Sequence, residues 1–175
     1  GLFDDARKLA GKGLAIAERK YGPNDVRTAR WLTQLGLTLR AEGRYAAAEP
    51  HLKRALAIYE KARGPDAAET GESLGDLGSL YTDQGRLTEA ETLLKRALAI
   101  AEKTRGPEHG ATATGLTNLG MLYISQGRLT EAEPLFRRAL AIDEKTKGPE
   151  HPDTASSLNN LAELYRGQGR LAEAE

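Results

Sequence analysis

Apolar positions along this chain fall into two alternating stripes of helical period. Leu74, Leu77, Gly78 and Tyr81 stand at i, i+3, i+4 and i+7, one face of a helix expected from about Ala67 to Asp83. Past Gly85, the residues Leu87, Ala90, Leu94, Ala97, Leu98 and Ala101 form a second stripe, on a helix expected from about Leu87 to Thr104. Both stripes leave a polar face. On the second, Glu49 with Lys53, Glu91 with Lys95 and Glu133 with Arg137 are acid-before-base pairs at i,i+4, read as marks of the solvated side. Two helical patterns in every unit make the expected class all-α.

The punctuation between stripes is periodic. Gly-Pro recurs at Gly22, Gly64, Gly106 and Gly148, and Gly-Arg at Gly43, Gly85, Gly127 and Gly169, both at 42-residue intervals. Residues 85–126 and 127–168 agree at 28 of 42 positions, and 43–84 agrees with 85–126 at 23, which makes the period a true internal repeat. Each unit reads as helix, tight turn closed by Gly, longer helix, then a loop opened by Gly-Pro. Pro50 and Pro134 fall in the first turns of the second helix, where proline is tolerated. The units are 24–65, 66–107 and 108–149, with a half unit at 1–23 and a partial one at 150–175, a single array over 1–175. The chain starts and stops within a repeat, so it is expected to be part of a longer array. Such arrays bury the apolar face of each unit against its neighbours.

Twenty-five basic and 25 acidic residues cancel, which removes any overall electrostatic reason to expect nucleic acid or an anionic membrane as partner. No apolar stretch approaches the ~20 residues of a membrane span, and no basic-then-apolar leader opens the chain. Without cysteine there is no disulfide or thiolate chemistry. No Asn-x-Ser/Thr sequon occurs, which favours an intracellular or bacterial setting; a soluble, cytoplasmic chain is expected.

The units resemble the tetratricopeptide repeat. Its spacing of large apolar, Leu, small, aromatic, Gly, Ala, large apolar and Ala appears as Leu116, Leu119, Gly120, Tyr123, Gly127, Ala132, Phe136 and Ala139. The same frame gives Leu74, Leu77, Gly78, Tyr81, Gly85, Ala90, Leu94 and Ala97, and, with Leu39 in place of the aromatic, Leu32, Leu35, Gly36, Leu39, Gly43, Ala48, Leu52 and Ala55. The common unit has 34 residues and a Pro closing its second helix, where this chain has Glu60, Glu102 and Glu144. A 42-residue unit with Gly-Pro-Glu-His-Pro-Asp-Thr loops is similar to the kinesin light chain type and its bacterial relatives. A HEAT or armadillo array would allow such a period but leaves the small residue at Gly36, Gly78 and Gly120 unexplained. Close mutual similarity also suits an engineered consensus array, against which the irregular first unit and Trp31 argue. The resemblance implies a right-handed superhelix of antiparallel helix pairs.

Catalytic chemistry finds little support. His109 and His151 occupy equivalent loops, too far apart to share a metal ion, and are expected to cap or bond locally. There is no His-Glu-x-x-His, phosphate loop or nucleophile elbow, and Glu89 with Glu91 reads as solvation. No enzyme, cofactor or metal is expected.

The resemblance further implies that the first helix of each pair lines a concave groove for an extended peptide or a partner helix. Carried over by position, the groove holds Arg30, Thr33, Gln34, Leu37 and Arg40; then Glu72, Gly75, Asp76, Ser79 and Asp83; then Thr114, Thr117, Asn118, Met121 and Ile124; then Ser156, Asn159, Asn160, Glu163 and Arg166. The Lys and Arg that clamp a terminal carboxylate in some relatives are absent, Thr33, Leu37, Gly75, Ser79, Thr117, Met121, Asn159 and Glu163 standing in their places. Asn118 and Asn160 fall where relatives bind peptide backbone, and an amide both donates and accepts. A groove of four first helices would hold about nine extended residues. Its floor would match an acidic end at Arg30 and Arg40, a basic segment at Glu72, Asp76 and Asp83, and an apolar anchor at Met121 and Ile124. Other readings are a sensor or spacer segment of a larger protein, and head-to-tail self-association through the ends of the array.

Overall fold

The computed structural model describes residues 2–174, and among them all regular structure is helical. In chain order the helices are α1 (Leu2–Tyr21), α2 (Val26–Ala41), α3 (Tyr45–Arg63), α4 (Ala68–Asp83), α5 (Leu87–Arg105), α6 (Gly110–Ser125), α7 (Leu129–Lys147), α8 (Pro152–Gly167) and the short α9 (Leu171–Ala174). The helices expected at about Ala67–Asp83 and Leu87–Thr104 are α4 and α5, each within one residue at its ends. Pro50 and Pro134 lie inside α3 and α7.

The turn glycines act as the pattern required. Gly43 has φ of +72°, a conformation that costs other residues a Cβ clash. It allows a paired C-terminal closure of α2, in which Gly43 N–H donates to Arg40 O and Arg44 N–H to Leu39 O, each at 2.9 Å. At the other loops a buried threonine does the fastening. Thr28, Thr70, Thr112 and Thr154, all fully buried, donate to the carbonyls of Gly22, Gly64, Gly106 and Gly148 at 2.7–2.8 Å.

Two compact units divide the chain, one up to Leu93 and one from Leu94. In the first, α1 packs on α2, α2 on α3 and α3 on α4, and α2 also touches α4. Its core gathers Ala29, Leu32, Ala55, Ile58 and Tyr59, with Leu14 and Val26 packed against them. In the second, α6 packs on α7, α7 on α8 and α8 on α9. Its core gathers Ala113, Leu116, Ala139 and Ile142, with Leu98 and Leu135 against them. Ala113, Leu116, Ala139 and Ile142 stand 84 residues, two repeats, beyond Ala29, Leu32, Ala55 and Ile58, so the same four positions are buried in both cores.

The small residue of the motif sets the distance between paired helices. A Cβ on Gly36 would lie 2.7 Å from Leu52 Cδ2, and one on Gly120 would lie 2.6 Å from Phe136 Cε1. Both side chains that fill the space are buried. Glycine inside a helix costs ~1 kcal/mol relative to alanine, and close packing of a large apolar side chain against bare backbone is what offsets it.

Candidate functional site

The second unit carries a polar cleft of about 220 Å³ between α6 and α8, floored by α7. Thr114, Thr117 and Asn118 line it from α6, Ser156, Ser157 and Asn160 from α8, and Asp143 and Lys147 from α7, with Asp153 at the entry to α8. Helical spacing explains the gathering: Thr114, Thr117 and Asn118, like Ser156, Ser157 and Asn160, recur at three and four residues and share a face. The helices begin at well-defined places. His109 Nδ1 accepts the Ala111 N–H at 3.0 Å and His151 Nδ1 accepts that of Asp153 at 3.1 Å, so both loop histidines cap helices as expected.

The floor is a closed polar network. Asp143 is 4% exposed. Its carboxylate accepts from Lys147 Nζ at 2.8 Å and from Ser157 Oγ at 2.7 Å, while Lys147 also donates to Asp153 at 2.7 Å. These bonds, Asp143 first and then Asp153, hold the Lys147 ammonium above its usual range. A buried carboxylate needs such a partner, because its desolvation is otherwise uncompensated. The side-chain amides of Asn118 and Asn160, in contrast, line the cleft without a hydrogen bond to another described residue.

The residues expected on the binding face divide accordingly. The structure brings together Thr114, Thr117, Asn118, Ser156 and Asn160 around one cleft. Met121 is exposed and Ile124 half-buried further along α6; Asn159, Glu163 and Arg166 are exposed on α8 and do not line the cleft. On α2, Arg30 and Gln34 are exposed, and Thr33, Leu37 and Arg40 half-buried. On α4, Glu72 and Asp83 are exposed and Asp76 is half-buried. Two expectations need correction. Ser79 is 8% exposed and belongs to the interior of α4's packing rather than to a binding surface. Arg40 and Asp83 are not opposite poles offered to a ligand: Arg40 Nε donates to Asp83 Oδ2 at 2.5 Å, so each neutralises the other.

The acidic pairs of the second helices also need a different reading. Glu49 does pair with Lys53 at 2.6 Å, but its side chain is only 20% exposed and it accepts from Arg86 Nη1 at 2.9 Å as well. Arg86 lies 3.7 Å over the Tyr81 ring and forks onto Glu89 at 2.8 and 2.6 Å. The hydrogen bonds from Lys53, then those from Arg86 and Gln84, hold the Glu49 carboxyl at about 2 against the opposing effect of burial. In the second unit Arg170 repeats the arrangement over Tyr165, reaching Glu133 at 2.7 Å and Glu173. Arg86 and Arg170 are therefore latches that join successive helix pairs, and Glu89 is part of the Arg86 latch rather than a solvating charge. The first layer lacks it: Leu39 replaces the tyrosine, Ala47 the fork acceptor, and the charges are exchanged, with Arg7 facing Glu42 at 3.3 Å. Arg86, Arg128 and Arg170 recur with Tyr81, Tyr123 and Tyr165 five residues earlier, a signal already present in the repeat.

Among the described residues no group of three His, Cys, Asp or Glu is placed to hold a metal ion, and no helix is long and apolar enough to cross a membrane. A helix-pair array with Gly-spaced packing and a polar cleft on its first helices defines a protein-interaction scaffold. The family model described as tetratricopeptide repeat matches residues 1–61, 32–103, 69–145 and 111–175, and the chain belongs to that family. A kinesin light chain of Podosopora anserina with nearly identical TPR-like repeats superposes with a TM-score of 0.74 at 27% identity, over 98% of this chain and 82% of that one. BtubC (BKLC) of P. vanneervenii gives 0.82 at 23% identity over 99% and 70%. The Rap protein complexed with Competence and Sporulation Factor gives 0.75 at 22%, with 85% of this chain spanning 41% of that one. The kinesin light chain-like character expected from the 42-residue unit is thus borne out in fold. No curated protein sequence matches the chain.

Proposed function

We propose that the chain is a non-catalytic scaffold that binds an extended peptide or partner helix along its first helices, with main-chain contacts made by Asn118 and Asn160. The observation that carries this is the pair of unpartnered amides set around one polar cleft. An extended chain offers alternating N–H and C=O groups, and a carboxamide satisfies both. The neighbouring Met121, 39% exposed, and Ile124 offer an apolar contact on the same helix. A closed network of Asp143, Lys147 and Ser157 beneath the amides holds the floor rigid, which reduces the ordering cost of binding.

The test is to select nine-residue peptides against the chain from a display library and measure their affinity by fluorescence anisotropy. Asn118→Ala with Asn160→Ala is expected to weaken selected peptides at least about tenfold, the loss of one to two good hydrogen bonds, with the thermal midpoint unchanged. Affinity that survives the double change, or peptides that protect only the second helices, would count against the reading.

A further inference from the structure

One cation of the first unit lacks the carboxylate that its counterpart in the second unit holds. In the second unit Lys145 of α7 donates to Glu108, on the loop before α6, at 2.6 Å. Beside it Arg138 pairs with Glu102 at 2.6 Å and donates to the Pro107 carbonyl at 3.2 Å. Two repeats earlier the places of Lys145, Glu108, Arg138, Glu102 and Pro107 are taken by Lys61, Asn24, Arg54, Glu18 and Pro23. Arg54 keeps both of its partners, Glu18 and the Pro23 carbonyl, each at 2.7 Å. Lys61 does not. Asn24 stands where the acid stood, and among the described residues neither side chain has a partner, both being exposed. Later repeats carry Asp66, Glu108 and Glu150 at this loop position, so Asn24 is the departure from the pattern.

A recess of about 450 Å³ lies at this spot, lined by Asn24, Arg54, Ala57, Ile58, Lys61 and Ala62. The five α3 residues recur at three and four positions and share one face of that helix. We propose that the recess is a second binding site, in the first unit and independent of the peptide reading above, for a carboxylate on a short aliphatic stem, the chemistry of a glutamate side chain. An ammonium offers three donors and a carboxamide two, and a carboxylate has about four lone-pair sites to accept them. The charge of Arg54 is already balanced by Glu18, which leaves Lys61 as the uncompensated cation. An exposed ion pair contributes little by itself. Here Ala57, Ile58 and Ala62 add apolar carbon against which a stem of two methylenes can lie, and Asn24 adds an amide donor. In the second unit the chain supplies that glutamate itself, as Glu108, whereas in the first the place is left to a carboxylate from another molecule.

The experiment uses the full chain and two probes, Nα-acetyl-glutamate methylamide and its neutral isostere Nα-acetyl-glutamine methylamide, at matched ionic strength. The Lys61 ε-methylene and Ile58 δ-methyl signals are followed by carbon–proton NMR. The glutamate probe is expected to shift both saturably, and the glutamine probe and added sodium chloride neither. Lys145, already paired with Glu108, is the internal control and should stay still. Asn24→Glu restores the pairing of the second unit and places a like charge against the probe, so its affinity should fall at least about tenfold. The converse change, Glu108→Asn, should make the Lys145 signals respond. Dilution of the chain without probe separates the sources of the carboxylate: Lys61 signals that move assign it to a second copy, and signals that stay fixed assign it to a different molecule. Lys61 and Lys145 shifting alike, equal shifts with the glutamine probe or sodium chloride, or an Asn24→Glu variant that binds as the parent does would each overturn the proposal.

Discussion

The cleft of the second unit and the equivalent positions of the first are built on one register and have opposite electrostatic states. In the second, a buried acid, Asp143, is saturated by Lys147 and Ser157, and the binding groups above it are neutral amides. In the first, Tyr59 takes the place of that acid, the Ser73 hydroxyl has no hydrogen-bond partner, and an acid, Asp76, stands where the second unit has Asn160. Backbone and core are shared down to the equivalent cluster residues. A repeat therefore fixes which positions share a register, and a few substitutions decide whether their polar groups find partners.

The largest effect should come from opening the closed floor. Lys147→Met leaves Asp143 buried with only Ser157 as donor, and an uncompensated buried charge costs ~3 kcal/mol or more. Chemical denaturation is expected to show that loss, and adding Asp143→Asn, which removes the buried charge, should recover part of it. An equal loss in the single and the double variant would mean that Lys147 matters through packing alone.

Next come the glycines that set both helix pairs. Gly36→Leu and Gly120→Leu should each cost ~1–3 kcal/mol through overpacking against Leu52 and Phe136. Restoring space with Gly120→Leu and Phe136→Ala together should recover part of it. Stability equal to the parent's in both single variants would remove close helix approach as the reason for the glycine.

Asp76→Asn should stabilise the first unit. The folded carboxyl is raised to about 6 from an ordinary 3.8, so the folded state holds an extra proton between those values. The parent's stability is then full below about pH 4 and falls as pH rises through 6. At pH 7 the asparagine variant is expected to be more stable by ~2 kcal/mol, with the difference gone at pH 4. Asn160→Asp tests the converse in the second unit and should destabilise at pH 7. Urea unfolding at the two pH values decides both.

The smallest effect concerns helix entry. α8 starts at His151, which accepts the Asp153 N–H, whereas α4 starts at Ala67 with no side-chain cap. Ala67→Asp should raise stability by ~1 kcal/mol, and a thermal melt that shows no gain would mean that the start of α4 is already satisfied.

Much of this was legible before any coordinates. Hydrophobic period and Gly-Pro and Gly-Arg spacing located α4 and α5 within a residue, because helix periodicity and turn glycines are local properties. The identity of the cleft residues was legible only through the family's geometry: Asn118 and Asn160 do meet around one space, and Ser79, assigned by the same rule, is buried. The family frame does not single out Asp143, although an acid inside a stripe that holds Tyr59 and Ala101 at the same position is visible in the repeat.

The architecture is written into the linear order: a 42-residue unit of two amphipathic helices, closed by glycines, whose small residues demand close pairing. These follow from forces that act within one turn or one repeat. The tertiary structure alone decided the state of the charges, since that depends on which atoms end within 3 Å of one another across helices. It joined Arg40 to Asp83 and Lys147 to Asp143, made Arg86 a latch, and left Asp76 with Ser73 and Thr33 unsatisfied. Burial turns those few ångströms into kilocalories, and a linear order of residues does not contain them.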